Sequence, residues 1–138
     1  MKLPIVTDST CYLPQAELDK HHITVVPIPV ILDGAVYDAG KDITTEEFYA
    51  KLKTAKTFPS TTQPPLGEML KLYENLANEG YDTIISIHLA STISGFVNTL
   101  KGAVDEVQGA KVYVYDSQIP VILMGWLVLA AAQMAEAG

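Results

Sequence analysis

The most constraining feature of this chain lies near its end. From Ile119 to Ala132 every residue is apolar except Gly125, and no charged side chain follows until Glu136. Fourteen residues with a proline at Pro120 fall short of the roughly 20 that a membrane-spanning helix needs, so the segment reads as a buried helix. A helix that is apolar on every side must be covered on every side, and a sheet covers only one of them. At 138 residues the chain is one domain long; 49% hydrophobic and only 18% charged residues exclude disorder and leave surplus apolar surface to be placed.

Nine Lys and Arg against 16 Asp and Glu give a formal charge of −7, which argues against nucleic acid or an anionic membrane as partner and leaves small molecules and proteins. The single cysteine, Cys11, excludes an internal disulfide or a zinc ribbon and fits a reducing compartment. The apolar run Leu3 to Val6 is too short for a signal peptide, which points to the cytoplasm.

Leu3 to Val6 feeding Thr7-Asp8-Ser9-Thr10 has the pattern of a buried strand running into a polar loop. Pro14 suits the first turn of a short helix through Leu18. Ile23 to Val26 and Ile28 to Leu32 are strand-like, but Pro27 and Pro29 remove ladder donors and place the pair at a sheet edge or in an extended crossing segment. Thr44 and Glu47 form a capping-box pattern that opens a helix with Phe48 and Leu52 inward. The stretch Phe58 to Pro65, with its prolines, is a stiff loop carrying hydroxyls. Leu66, Met69, Leu70, Tyr73, Leu76 and Ala77 share one helix face that Gly80 ends. Thr83 to Ile87 is a strand, Val97, Leu100, Val104 and Val107 follow at helical spacing, and Val112 to Tyr115 is another strand. This alternation predicts an α/β fold with a mostly parallel sheet of about four to five strands and helices on both faces.

In such sheets ligands bind beyond the carboxyl ends of the strands. Three strand ends run into polar clusters, Thr7 to Thr10, Ser91 to Ser94, and Asp116 with Ser117, and the loop Ser60-Thr61-Thr62 is a fourth that can lean over them. Ser94-Gly95 at a helix start adds free backbone N–H groups, an anion-binding feature. Nucleophile-elbow, phosphate-loop, dinucleotide and zinc-protease motifs are absent from the sequence. His21 and His22 read as a solvated turn pair, His88 as structural, and Cys11 as a small buried thiol.

The ordered set Val6-Thr7-Asp8-Ser9-Thr10, Pro59-Ser60-Thr61-Thr62-Gln63-Pro64, Ser91-Thr92-Ile93-Ser94-Gly95 and Tyr115-Asp116-Ser117 resembles the N-terminal domain of the DegV family. These are bacterial fatty-acid-binding proteins that act as the acyl carrier subunit of fatty acid kinase. The resemblance implies that Thr61, Thr62, Ser94 and Gly95 hold a fatty acid carboxylate at the mouth of an apolar tunnel, with Asp8, Ser9, Ser91, Asp116 and Ser117 at its rim. It also implies that residues 1–138 form one such domain, without the C-terminal domain that closes over the ligand in the family. After the last strand the family pattern has serine and glycine where this chain has Val121 and Leu123, leaving Gly125 alone.

The expected function is therefore a non-catalytic lipid carrier, without metal or cofactor, that presents a long-chain fatty acid to a kinase subunit. A covering domain or a second copy would lie over the Ile119–Ala132 helix, and no stable membrane insertion is expected. The competing readings are a hydrolase or phosphotransferase using Asp8, His88 and Ser94 at the same rim, and a protein-interaction module docking through the last helix.

Overall fold

A computed structural model describes residues 3–119 and 121–138, so Pro120 lies outside the described residues. Four parallel strands form the main sheet: β1 (Ile5–Asp8), β2 (Thr24–Val26), β6 (Thr83–His88) and β7 (Lys111–Asp116), in the order β2-β1-β6-β7. The register pairs Val6 with Thr24 on one side and with Ser86 on the other. The expected α/β class with its parallel sheet is therefore present.

Helices cover both faces, as the apolar spacing predicted. α3 (Leu66–Asn78) and α4 (Phe96–Lys101) pack Met69, Tyr73, Leu76, Phe96 and Leu100 on Val6, Ile84 and Val112. On the other face α1 (Gln15–Lys20) and α5 (Ile122–Ala137) pack Leu18, Met124, Val128 and Ala132 on Ile5 and Ile87. Gly80 caps the end of α3 at φ +97, a conformation only glycine adopts cheaply. The single helix expected to carry Val97, Leu100, Val104 and Val107 stops at Lys101, and Val104–Glu106 form a separate 3-10 turn. Gly102 sits at the break, where glycine is a poor helix former. Val107 is nevertheless buried, as its spacing required.

A second sheet was not anticipated. The chain leaves β2 at Pro27 and enters β3 (Pro29–Leu32), which pairs antiparallel with β4 (Ala35–Asp38) and with β5 (Ser60–Thr61). The expected Ser60-Thr61 loop is thus partly a strand, held to β3 by Thr62 N–H donating to the Pro29 carbonyl at 3.1 Å. Between β4 and β5 in the chain comes α2 (Thr45–Leu52), opened by the expected capping box: Glu47 N–H donates to Thr44 Oγ1 at 3.2 Å, and Thr44 N–H donates to Glu47 Oε2 at 2.8 Å. Phe48 and Leu52 are half-buried rather than core residues.

α5 is covered on one side only. Met124, Gly125, Val128 and Ala132 are buried, whereas Trp126 is 63% and Met134 74% exposed. No helix among the described residues is long and apolar enough to cross a membrane. Gly125 sets how closely α5 sits on the 3-10 turn Ser9–Cys11: a Cβ there would stand 2.4 Å from the Cys11 carbonyl oxygen and 3.0 Å from Leu13 Cδ2. Since backbone cannot yield as a side-chain tip does, Gly125→Ala is expected to lower stability by about 1–3 kcal/mol, the usual range for overpacking. The urea midpoint measures it, and an unchanged midpoint would contradict this packing.

His21 also departs from expectation. Instead of being a solvated turn residue it is buried where α5 arrives, with Nδ1 2.8 Å from Glu136 Oε1 and Nε2 3.6 Å from Glu17 Oε2.

Candidate functional site

The crossover from β1 to β2 runs through α1 on one face, and that from β6 to β7 runs through α4 on the other. The winding reverses between β1 and β6, and their carboxyl ends flank the crevice where open α/β sheets place ligands. The two strands end in Asp8 and His88.

These two side chains are buried rather than at the rim. His88 Nδ1 lies 2.9 Å from Asp8 Oδ2, His88 Nε2 2.7 Å from Ser86 Oγ, and Ser86 Oγ 2.8 Å from Tyr73 Oη, all out of solvent. Leu89 N–H donates to Asp8 Oδ2 at 3.1 Å, and Thr10 donates both N–H and O–H to Asp8 Oδ1. With Asp8 ionised, the directions that satisfy every group run from Tyr73 O–H to Ser86, from Ser86 O–H to His88 Nε2, and from His88 Nδ1–H to Asp8. Burial opposes the charge on Asp8, but hydrogen bonds from His88 and Thr10 and the nearby His88 outweigh it and hold the carboxyl below its ordinary value. Burial pushes the Tyr73 phenol up to about 12, the Ser86 hydrogen bond opposing it.

This is a structural spine, and it removes the geometry that the enzyme reading needed. Both nitrogens of His88 are committed, its ring stands edge-on to Phe96 with centroids 4.8 Å apart, and Ser94 hydrogen-bonds neither Asp8 nor His88 among the described residues. Asp8 is therefore corrected from rim residue to buried anchor, and the reason is the lateral pairing that brings β1 and β6 together. The sequence carries one overlooked sign of this spine, a serine at Ser86 between the isoleucines Ile85 and Ile87.

The anchor holds the loop after β6 at its start, and Asp116 holds it farther on. Asp116 Oδ1 accepts from Ser91 N–H at 3.1 Å and from Gln118 N–H at 3.0 Å. Hydrogen bonding by the Ser91 side chain first, then by the Gln118 and Ser91 N–H groups, keeps the Asp116 carboxyl below its ordinary value. Ser117 turns inward, donating to the Ile119 carbonyl at 2.9 Å, and so leaves the rim. Ser94 Oγ accepts from Phe96 N–H at 3.2 Å, which leaves its own O–H free to donate. Because α4 has only six residues, its dipole adds little to such a donor.

Gln63, which follows Thr62, reaches this loop: its Nε2 stands 3.1 Å from the position a Cβ on Gly95 would occupy. Gln63 was not singled out from the sequence, although it closes the hydroxyl run in the loop. Both threonines are exposed and Ser94 is half-buried. Thr61 also edges a half-open, largely apolar cavity of about 870 Å³ between the two sheets. Leu18, Ile23, Val25, Ile28, Val30 and Ile43 supply apolar wall, and Ser9, Thr10 and Cys11 approach from the β1 turn. Ser9 Oγ accepts from Ile28 N–H at 2.9 Å and so ties the two sheets together beside the cavity. Burial pushes the Cys11 thiol up, so it serves as apolar wall rather than as a nucleophile. Among the described residues no group of three or more His, Cys, Asp or Glu is arranged to hold a metal ion.

Comparison with known proteins places these features in a wider set. A family model described as an uncharacterised protein of the DegV family matches residues 2–138. The chain is 43% identical over 136 residues to a DegV domain-containing protein of Listeria monocytogenes, covering 99% of this chain and 48% of that protein. It is similar to the crystal structure of DegV, a fatty acid binding protein from Bacillus subtilis, with TM-score 0.93 and 36% identity, covering 100% of this chain and 49% of that one. It is similar as well to the structure of a stearic acid-binding protein from Eubacterium ventriosum, with TM-score 0.88 and 28% identity, covering 99% of this chain and 48% of that one. The chain thus spans about half the length of the relatives it matches.

Proposed function

The chain belongs to the DegV family, and from that premise we propose that it is a non-catalytic lobe of a cytoplasmic carrier that holds a long-chain fatty acid and presents it to a kinase subunit. Thr61, Thr62, Ser94 and the Gly95 backbone hold the carboxylate, and the acyl tail lies in the cavity between the sheets. The observation that carries this reading is the cavity between the sheets with the Ser60 and Thr61 hydroxyl residues at its edge, two positions before Gln63, which stands against Gly95. Its volume is that of a typical ligand pocket, and its lining is more apolar than polar. Structural neighbours described as fatty acid-binding proteins support the same ligand class.

The energetics divide between head and tail. Hydrogen bonds to a charged carboxylate contribute about 1.5–3 kcal/mol each, and every methylene buried adds about 0.8 kcal/mol. Removing a single head-group hydroxyl, as in Thr62→Val or Ser94→Ala, is expected to weaken palmitate binding by about 10- to 150-fold. Calorimetry measures this, and an unchanged affinity in both variants would move the carboxylate elsewhere. The whole reading is tested by extracting the natively purified protein and identifying its lipids by mass spectrometry. A long-chain fatty acid is the expected content, and a consistently empty protein would contradict it.

The exposed stripe of α5 with Trp126 is, in this reading, the seam for a covering domain or a second copy.

A further inference from the structure

The segment Phe48 to Phe58 reverses the charge of the molecule around it. It contains Lys51, Lys53 and Lys56 and no carboxylate, in a chain of net charge −7. None of the three lysines makes an ion pair among the described residues. Lys51 stands over the Tyr37 ring, 5.6 Å from its centroid, and Glu47 one turn earlier acts on it, so Lys53 and Lys56 are the less engaged pair. Two exposed aromatic residues flank them: Tyr49 is 58% and Phe58 97% exposed, the latter the most exposed large apolar side chain described.

The segment is held in place. Lys53 N–H donates to the Tyr49 carbonyl, Thr54 N–H to Lys51 and Ala55 N–H to Leu52, at 3.1–3.3 Å. Asp33 Oδ1 then accepts from the N–H groups of Lys56 and Thr57, each at 2.9 Å. Phe58 is therefore presented to solvent by an ordered turn. Phe48, Tyr49 and Pro59 from the same stretch line the apolar cavity, so one segment carries both the cavity edge and the cationic, aromatic surface.

We propose that Tyr49, Lys53, Lys56 and Phe58 dock this chain on an anionic lipid bilayer, with Phe58 entering the interface and the cavity edge facing the membrane. The charge fits anionic headgroups, which attract lysines near the surface. A fully exposed aromatic ring beside lysine stems suits the boundary between headgroups and acyl chains. The net charge of −7 that argues against a membrane describes the chain as a whole, whereas a surface is met by one face at a time, within a Debye length. The purpose of docking, passage of an acyl chain between bilayer and cavity, rests on the carrier reading; the docking itself does not.

The test is co-sedimentation of the 138-residue chain with phosphatidylcholine vesicles, with and without an equal share of phosphatidylglycerol. Binding is expected only to the anionic vesicles and is expected to fall with added salt. The double variant Lys53→Glu with Lys56→Glu should lower partitioning by at least about 25-fold, about fivefold for each lysine lost. Phe58→Ser should lower it about tenfold. Circular dichroism and vesicle-free palmitate binding should be unchanged, because none of these three side chains lines the cavity. No binding by the parent chain, binding indifferent to the substitutions, or retention on heparin without vesicle binding would each overturn the proposal. Loss of palmitate binding in solution with vesicle binding intact would instead contradict the carrier reading and leave the docking surface standing.

Discussion

Asp8→Ala is expected to lower the stability of the chain by about 3–5 kcal/mol, because it strands several donors at once and each buried donor left without a partner costs about 1–3 kcal/mol. The substitution strands Nδ1–H of His88, the Leu89 N–H and both donors of Thr10, and the His88 group is fully buried, away from replacement water. A domain of this size has about 5–15 kcal/mol in total, so urea should unfold the variant at a far lower midpoint. The pH dependence has a definite sign. The Asp8 carboxyl is held below its ordinary value of 3.8 in the folded chain, so its contribution is fully present above that value and is lost as pH falls through the lowered one. The stability gap between parent and variant should therefore be constant from neutral pH to about pH 5 and close below about pH 4. A gap independent of pH would mean that Asp8 is not ionised in the fold.

Ile43→Trp is expected to weaken fatty acid binding by about 50-fold while leaving the parallel sheet intact. Ile43 lies just before α2, buried and lining the cavity. A larger ring there displaces about three methylenes of the acyl chain, which is about 2.4 kcal/mol at 0.8 kcal/mol each. The loss should grow with chain length, because a short fatty acid does not reach the blocked region. Calorimetry with octanoate and palmitate checks it. Equal losses for both acids would place the obstruction at the head group instead of in the tail channel.

Much of this architecture was legible from local pattern. The face of α3, the cap at Thr44 and the stop at Gly80 are set by residues a few positions apart, and short-range spacing reports them directly; α5, apolar all round, gave no sign of which side would stay exposed. The second sheet was not legible, because β4 is largely exposed and β5 has only two residues. Neither carries an apolar alternation of its own; both exist by pairing with β3. The same limit applies to the site. Asp8 and His88 are 80 positions apart and meet only through the register of β1 on β6, which no local spacing encodes. His21 and Glu136 are 115 apart and meet because α5 folds back across α1. The hydroxyl clusters were visible as residue types, but their division into inward anchors, Asp8 and Ser117, and outward donors, Thr61 and Thr62, is a product of tertiary packing.

The central claim is that one ligand spans the Ser94 loop and the cavity between the sheets. The most direct measurement is nuclear magnetic resonance of the chain with palmitate labelled with ¹³C at its carboxyl and terminal methyl carbons, at concentrations that saturate even weak binding. The account predicts contacts from the terminal methyl to Ile23, Val25 or Ile43, and a carboxyl resonance shifted together with the backbone amides of Thr62, Ser94 and Gly95. Terminal-methyl contacts confined to the exposed stripe of Trp126 and Met134, with those amides unmoved, would contradict it.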